Sequence, residues 1–483
     1  MTGLLSSDNI QRLRDALLSA GYTSNGIASR LGPDATAAVA RNDFRAALKA
    51  TEDRDPLATL IRLYICGQTE EPAAIKRAFK DLDLSDAQEG ELITEAGSAG
   101  IDLEPYADGQ WILSDLPSER HKLSRDHVLG VGGASQTLVN AVIKERVKTA
   151  LDLGTGCGIQ AINLSTHADR VTATDISERA LRFASTTAQL AGLDWDLRHG
   201  DMIKPVDGER FDLVVSNPPF VAGPGTTTHT YRDSGRPGDA ISKELARASK
   251  TLLNPGGTLQ FLANWLHVTG EDWAERVAGW FAGTGMDVWV IQREISDPMA
   301  YVDLWLNDAD EADPHRAAAW LDWFDAHKVE AVGFGLVTAK NNQHHDPVVR
   351  VETLRQPLAQ PFGPQILSWY ERQDWLRDHS VSELLDQRYR AAPGLTLHQE
   401  ADHGPDGWEV THQALVQTEG LGWSEEIDPV LLAIVGGSDG TSTLRDQLAV
   451  LAAAYDEPSS TLDMMAAVVI PHLVERGFIE PAP

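Results

Sequence analysis

Cysteine is nearly absent, with Cys66 and Cys157 the two examples in 483 residues. Neither sits in a paired spacing, which argues against a disulfide framework and a thiolate metal site; no metal is expected, and a reducing compartment is. Basic residues are also few, 41 Lys and Arg against 71 Asp and Glu, for a formal net charge of −30. Broad adhesion to a phosphate backbone needs clustered cations, so it is disfavoured, while a local basic patch is not. No apolar run reaches the roughly 18 residues of a membrane span. Residues 1–21 lack the basic, apolar and small-residue order of a signal peptide. A cytoplasmic protein with no membrane partner is expected. Internal repeats and low-complexity segments are lacking as well, and the length suggests about three domains.

What is present is a glycine turn. Residues 150–163 read Ala-Leu-Asp-Leu-Gly-Thr-Gly-Cys-Gly-Ile-Gln-Ala-Ile-Asn. Leu151 and Leu153 alternate around Asp152 as in a buried strand, and Gly154, Gly156 and Gly158 remove Cβ where backbone must approach a ligand. The dinucleotide fingerprint needs its third glycine at position 159, which is Ile159, so NAD is the weaker reading. Asp175, in Val-Thr-Ala-Thr-Asp-Ile, lies about 20 residues beyond the loop, where a carboxylate can accept from both ribose hydroxyls. That suits any adenosine cofactor. Taken alone, the glycines also fit a tight turn in an ordinary α/β domain.

A second motif narrows the choice. Residues 211–220 read Phe-Asp-Leu-Val-Val-Ser-Asn-Pro-Pro-Phe, an apolar strand entering a rigid turn. The prolines hold Asn217 outside the α region at the carboxyl end of its strand, where open α/β sheets carry their active sites. The Asn217 side-chain oxygen and the Pro218 carbonyl can both accept from one planar NH2 group, and Phe220 offers an aromatic face. This resembles the class I S-adenosylmethionine-dependent N-methyltransferases with an Asn-Pro-Pro-(Phe/Tyr) motif, which include glutamine methyltransferases of release factors and guanine and adenine methyltransferases of RNA. The likeness covers about residues 120–341.

The resemblance implies a Rossmann-like seven-stranded α/β sheet and S-adenosyl-L-methionine as cofactor. It assigns to that cofactor Asp152, Gly154, Thr155, Gly156, Gly158, Asp175, Ile176, Asp201, Met202 and Asn217, with Asp201 on the adenine amine and Met202 on the ring. The segment before the loop, Gly-Gly-Ala-Ser-Gln-Thr from Gly132, would close over the methionine end through Gly132, Gly133, Ser135 and Thr137. Ser135 or Thr137 could equally cap a helix starting near Leu138. A solvated loop carboxylate is the alternative for Asp201. His127 reads as structural or substrate-facing, because no acidic partner is visible for it. Cys157 reads as a small, half-buried side chain in a tight turn, not as a methyl acceptor.

Along the chain, residues 1–118 show helical periodicity ending in a short hairpin near 101–114, which suggests a winged helix. Contact with RNA and a packing or dimerising role are both open for it. Residues 119–341 form the methyltransferase domain, with strands near 195–199, 258–263, 286–291 and 332–338 and an apolar stretch at 299–306. Residues 221–238 form a long loop in which Tyr231 and Arg232 are candidates for the acceptor pocket, a surface ion pair being the alternative for Arg232. After Asn341 the alternation stops. Residues 342–483 form an acidic, helix-rich domain; from 391 onward fifteen Asp and Glu face only Arg445 and Arg476.

The expected enzyme moves a methyl group onto a planar NH2 nitrogen, with Asn217, Pro218 and Phe220 at the reacting group. Its partner would be a protein or RNA acceptor, and self-association through the terminal domains is a further expectation. The competing reading is a non-catalytic scaffold that binds S-adenosylmethionine and works through its acidic flanks.

Overall fold

The computed structural model describes residues 3–107, 109–117, 123–308 and 313–482. The boundary expected at 118/119, and the start of the likeness at Arg120, fall in residues 118–122, outside the described residues. No helix among the described residues is long and apolar enough to cross a membrane. The chain divides into two compact units, residues 1–139 with 145–355, and residues 140–144 with 356–483.

The first unit is built on an eight-stranded mixed sheet. Its strands, numbered in chain order, are β1 (Val147–Leu153), β2 (Ala168–Asp175), β3 (Asp196–His199), β4 (Phe211–Ser216), β5 (Leu253–Val268), β6 (Asp287–Ser296), β7 (Val329–Lys340) and β8 (Val349–Thr353). Their spatial order is β8-β6-β7-β5-β4-β1-β2-β3. β3, β2, β1, β4 and β5 run parallel, and β7 is antiparallel to both β5 and β6. The seven expected strands are present, and β8 adds an eighth, parallel to β6 from Val349↔Val288 to Thr353↔Gln292. β8 reads Val-Arg-Val-Glu-Thr and keeps partial exposure along its length, so it lacks the apolar run of its buried neighbours. The apolar stretch at 299–306 forms a helix, Pro298–Asp308.

Central strands are apolar because both faces are covered: the last four residues of β1 and of β4 are all buried. The helix Glu178–Ala191 starts where Ser177 accepts from the Ala180 amide and stops at Gly192 in the left-handed conformation. The helix expected near Leu138 begins earlier, at Gly133, and runs Gly133–Ala141. Ser135 and Thr137 therefore lie within it and cap nothing. The Gly132-Gly133 lead-in lets the turn close upstream, with the Gln136 amide donating to the Gly132 carbonyl at 3.0 Å.

The N-terminal helices include Ser7–Ala20, Ser24–Val39 and Pro72–Phe79, followed by an antiparallel hairpin of Asp102–Pro105 and Trp111–Ser114. The helical periodicity is interrupted before the hairpin, where the helix Leu84–Glu89 ends and Glu91 turns the chain away with φ 61°. Every residue of Trp111–Ser114 is buried. The Leu113 and Leu4 amides donate to Thr187 Oγ1 and Thr186 Oγ1 on the helix Glu178–Ala191, at 3.4 and 2.9 Å. On that helix Arg179 donates to Asp115 at 3.0 Å and to Glu91 at 2.9 Å. A chain segment that reads as a domain of its own is packed into the same unit as the sheet.

The second unit contains the helices Gly363–Arg377, Val381–Asp386, Pro429–Gly437, Leu444–Tyr455 and Ser459–Arg476 around a core that includes Ile434, Leu448, Ile470 and Phe478. It is less purely helical than its sequence suggests, with six strands in two three-stranded sheets among its described residues. The longest pair, Leu395–Gly404 with Gly407–Gln417, is exposed over most of its first strand and over residues 408–412 of its second, where Trp408 is 74% exposed. A hairpin wet on both faces has no buried side to write apolar alternation into its sequence.

Asp115 and Arg179 are both mostly buried, at 11% and 23% side-chain exposure. Arg179→Ala should cost about 1 to 3 kcal/mol, the range for charged hydrogen bonds that are partly screened. In a denaturant double-mutant cycle with Asp115→Ala the two losses should be strongly non-additive; additive losses would show that the pair does not tie the hairpin to the helix.

Candidate active site

β1 and β4 are paired so that Leu153 lies opposite Ser216, and the Ser216 hydroxyl donates to the Leu153 carbonyl at 2.7 Å. The next residues, Gly154 and Asn217, therefore leave the sheet side by side. Gly154 and Gly156 have φ of 80° and 56°, and a Cβ on either would meet no atom within 4 Å. They form an open cradle at which a ligand can reach the backbone. Gly158 works differently: a Cβ there would stand 2.8 Å from the Trp195 ring, so this glycine admits packing and does not line the cavity.

Asp152 is also outside the cavity wall. It is fully buried beneath the loop and accepts from Thr155 Oγ1 at 2.6 Å and the Ala161 amide at 3.0 Å. Burial pushes its carboxyl up to about 7, against the pull of those two hydrogen bonds. Asp175 at the end of β2 accepts from the Gly156 and Ser177 amides at 2.9 and 2.8 Å. Burial raises its pKa while these backbone donors oppose the rise. Ile176 follows as an exposed apolar wall.

Asp201 lines the cavity but already has cationic neighbours, Lys204 at 2.8 Å and Arg236 at 3.3 Å. Burial pushes its carboxyl up, yet Lys204 and Arg236 outweigh that and hold it below the usual range. Met202 beside it has φ 48°, a left-handed backbone uncommon outside glycine. Burial pushes the Cys157 thiol up to about 12, so it stays protonated and unreactive near neutrality.

The cavity has a volume of ≈510 Å³ and runs from the glycine cradle to Asn217, Pro218 and Phe220. That size is ordinary for a ligand pocket. Asn217 Nδ2 donates to Ser135 Oγ at 3.2 Å, while Asn217 Oδ1 is buried and accepts no hydrogen bond from any described residue. Phe220 packs on Trp305 and Phe334 with ring centroids 6.0 and 5.4 Å apart. The turn is braced from behind by Tyr301, whose hydroxyl accepts from the Ala222 amide at 2.8 Å.

The long loop folds back on this turn. Val221 donates to the Arg232 carbonyl at 3.2 Å, and Asp233 accepts from the Thr228 and His229 amides at 2.8 and 3.1 Å. The Thr230 amide donates to the Arg125 carbonyl at 3.0 Å, joining the loop to the segment that carries His127. Tyr231 stands between His127 and His229, with centroids 6.0 and 5.7 Å away. His127 has the acidic neighbour that the sequence does not reveal: Asp115, at 3.8 Å. Arg232 is not a surface residue; it is buried, donates to the Trp305 carbonyl and lies 3.4 Å from Asp233.

Of the sequence candidates, Gly132, Gly133, Ser135, Gly154, Thr155, Gly156, Asp175, Ile176, Asp201, Met202, Asn217, Pro218, Phe220, Tyr231 and Arg232 line this one cavity. Thr137 does not; it is exposed and donates to the Gly133 carbonyl. Gln160, Trp305 and Arg236 also line the cavity and were not anticipated. Gln160 is visible in the sequence only as the residue two after the last loop glycine, and Trp305 comes from a helix with no motif.

The strand order and the glycine loop define a class I methyltransferase fold, and comparison with known proteins gives this a name. Residues 129–272 match the profile of the methyltransferase small domain, while two domains of unknown function match residues 19–103 and 367–481. The release factor glutamine methyltransferase of Enterococcus faecalis is 30% identical over 168 residues, 32% of this chain and 61% of that protein. The ribosomal RNA small subunit methyltransferase C of Salmonella arizonae is 33% identical over 168 residues, 34% of this chain and 44% of that protein. The chain thus spans less than two thirds of the length of these relatives. A solved structure of the T. Thermophilus 16S rRNA N2 G1207 methyltransferase, in complex with AdoMet and guanosine, is 17% identical; the match covers 39% of this chain and 46% of that one, with a TM-score of 0.27. The central part of this chain thus matches the methyltransferase small domain.

The open cradle and the Asp175 carboxylate fit an adenosine ligand. Asp175→Ala should weaken S-adenosyl-L-methionine binding by ~2 to 4 kcal/mol, the loss of bonds to ribose hydroxyls with partial compensation by water. Unchanged affinity in calorimetry would remove Asp175 from the site.

Asp152 gives a pH test. Its folded pKa is raised, so the folded state holds the proton that the unfolded chain has lost, and its contribution to stability declines as pH climbs toward about 7. Asp152→Asn has no such titration. Its melting temperature relative to the wild type should improve between about pH 5 and pH 8, and a constant difference would contradict the protonated assignment.

Proposed function

We propose that the protein is an S-adenosyl-L-methionine-dependent N-methyltransferase whose acceptor is a planar NH2 group, either a protein glutamine amide or the exocyclic amine of an RNA base. One observation carries this reading: Asn217, at the carboxyl end of β4 beside the glycine cradle, keeps a buried side-chain oxygen with no donor from any described residue. A buried acceptor left unpaired costs about 1 to 3 kcal/mol. An entering NH2 group would supply the missing donor. The names of the two relatives, a release factor glutamine methyltransferase and a ribosomal RNA small subunit methyltransferase, are in keeping with a protein or an RNA acceptor.

Gly154 and Gly156 would let the protein backbone approach the cofactor, Asp175 would accept from its ribose, and Ile176 and Met202 would flank its base. Asp201 would receive the adenine amine while sharing charge with Arg236 and Lys204. When bound, S-adenosyl-L-methionine supplies an electrophilic methyl group on a sulfonium. An amide or aryl amine nitrogen is a poor nucleophile because its lone pair is delocalised, yet once alkylated it is strongly acidic and passes its proton to water, so no strong base is needed. The task of the protein is therefore to orient the acceptor. Asn217 Oδ1 and the Pro218 carbonyl would accept from the NH2 hydrogens and draw electron density onto nitrogen. Phe220, fixed by Trp305 and Phe334, would hold the acceptor plane, and the loop bearing Tyr231 would close the pocket over it. Orientation of this kind can supply ~7 to 11 kcal/mol of the barrier reduction.

Asn217→Ala should leave cofactor affinity within a few-fold of wild type and lower methyl transfer by ~10² to 10³, the effect of losing a preorganised polar contact to a reacting group. Phe220→Leu should act in the same direction. Labelled cofactor with a glutamine-containing peptide and an unpaired-guanine oligoribonucleotide as acceptors provides the assay. Near wild-type turnover by Asn217→Ala would show the amine seat to be wrong.

A further inference from the structure

Asn217 can serve as an acceptor only if its carboxamide is held the right way round, since a half-turn about its last torsion would point NH2 at the incoming NH2. The structure assigns to Ser135 the task of holding that carboxamide in place. Ser135 Oγ receives the hydrogen bond from Asn217 Nδ2 at 3.2 Å, so the carboxamide is tethered through its nitrogen while Oδ1 has no donor from any described residue. Ser135 is itself anchored: Gln160 Nε2 donates to its backbone carbonyl at 2.9 Å, and Gln160 is buried at 2% exposure in the helix Ile159–Leu164 that follows the glycine loop. Three elements are thereby linked in series, the helix after the loop, the helix Gly133–Ala141 and the turn after β4.

This inference rests on the proposed amine acceptor, and it differs from the cofactor role that the sequence suggests for Ser135. A serine that grips the methionine end of the cofactor would govern affinity for it. A serine that orients Asn217 governs turnover. The hydroxyl has one hydrogen and two lone pairs, so accepting from Asn217 leaves its hydrogen for another partner, but its effect on catalysis runs through Asn217. Ser135 is a positioning residue and does not touch the reacting atoms.

The test compares wild type, Ser135→Ala and Ser135→Thr. Calorimetry with S-adenosyl-L-methionine should give affinities within about 2-fold of one another, whereas kcat of Ser135→Ala on the peptide or oligoribonucleotide acceptor should fall on the order of 10- to 100-fold, the cost of a misplaced reacting group. Ser135→Thr keeps the hydroxyl and should recover most of that loss. A main effect on cofactor affinity with unchanged kcat would overturn the assignment and make Ser135 a cofactor ligand. A readout independent of activity is the Asn217 side-chain NH2 resonance pair in protein labelled with nitrogen-15 asparagine. Ser135→Ala should shift that pair and speed its exchange with solvent, and an unmoved pair would overturn the inference even if neither acceptor is methylated. Absence of methyl transfer by the wild type would count against the proposed function alone.

Discussion

The parallel pairing of β1 with β4 places Leu153 opposite Ser216, and the cavity depends on that register. One residue further along each strand stand Gly154, the first open glycine of the cradle, and Asn217, the candidate amine acceptor. Neighbouring strands lie about 4.8 Å apart, so the two motifs leave the sheet within reach of one small ligand and its acceptor. A slip of one residue would turn Asn217 to the other face. The Ser216 side chain adds a bond across this junction to the Leu153 carbonyl, on a fully buried residue where a competing water has no access.

Around that junction the loop is held from below and the turn from behind. Asp152 binds Thr155 and the Ala161 amide beneath the glycines, while Tyr301 holds the chain just past Phe220. The segment 127–130 is fixed to the N-terminal hairpin, since the Val128 amide donates to Asp115 at 2.8 Å and Arg179 binds Asp115 from the helix below. One wall segment of the cavity is thus tied to the N-terminal region.

The parts of the molecule legible in the sequence were those written in local code. The β1 turn, the Asp175 strand end and Asn-Pro-Pro-Phe each need a residue type at a fixed spacing, and each lies on the same cavity. Ser135 was legible as a residue of this region but not as the partner of Asn217, because 82 residues separate them. Trp305 and Arg236 reach the cavity from elements whose own sequences serve packing. Gly158 and Asp152 share the motif yet serve the loop from inside, against Trp195 and Thr155. β8 and the exposed hairpin at Leu395–Gly404 escaped notice for the opposite reason: strands without a buried face carry no period-two apolar signal. The docking of residues 3–117 on the sheet is likewise a tertiary fact, set by Arg179 meeting Glu91 and Asp115 from opposite sides of what reads as a domain border.

This cavity is proposed to methylate nitrogen. The most direct measurement is to incubate the full chain with S-adenosyl-L-methionine carrying a heavy methyl group, supply cell-derived protein and RNA fractions separately, and locate the label by fragment mass spectrometry. The expected result is one heavy methyl on the nitrogen of a glutamine side chain or of a base exocyclic amine, in one fraction. A heavy methyl on carbon, oxygen or sulfur, or bound cofactor with no labelled product in either fraction, would contradict it.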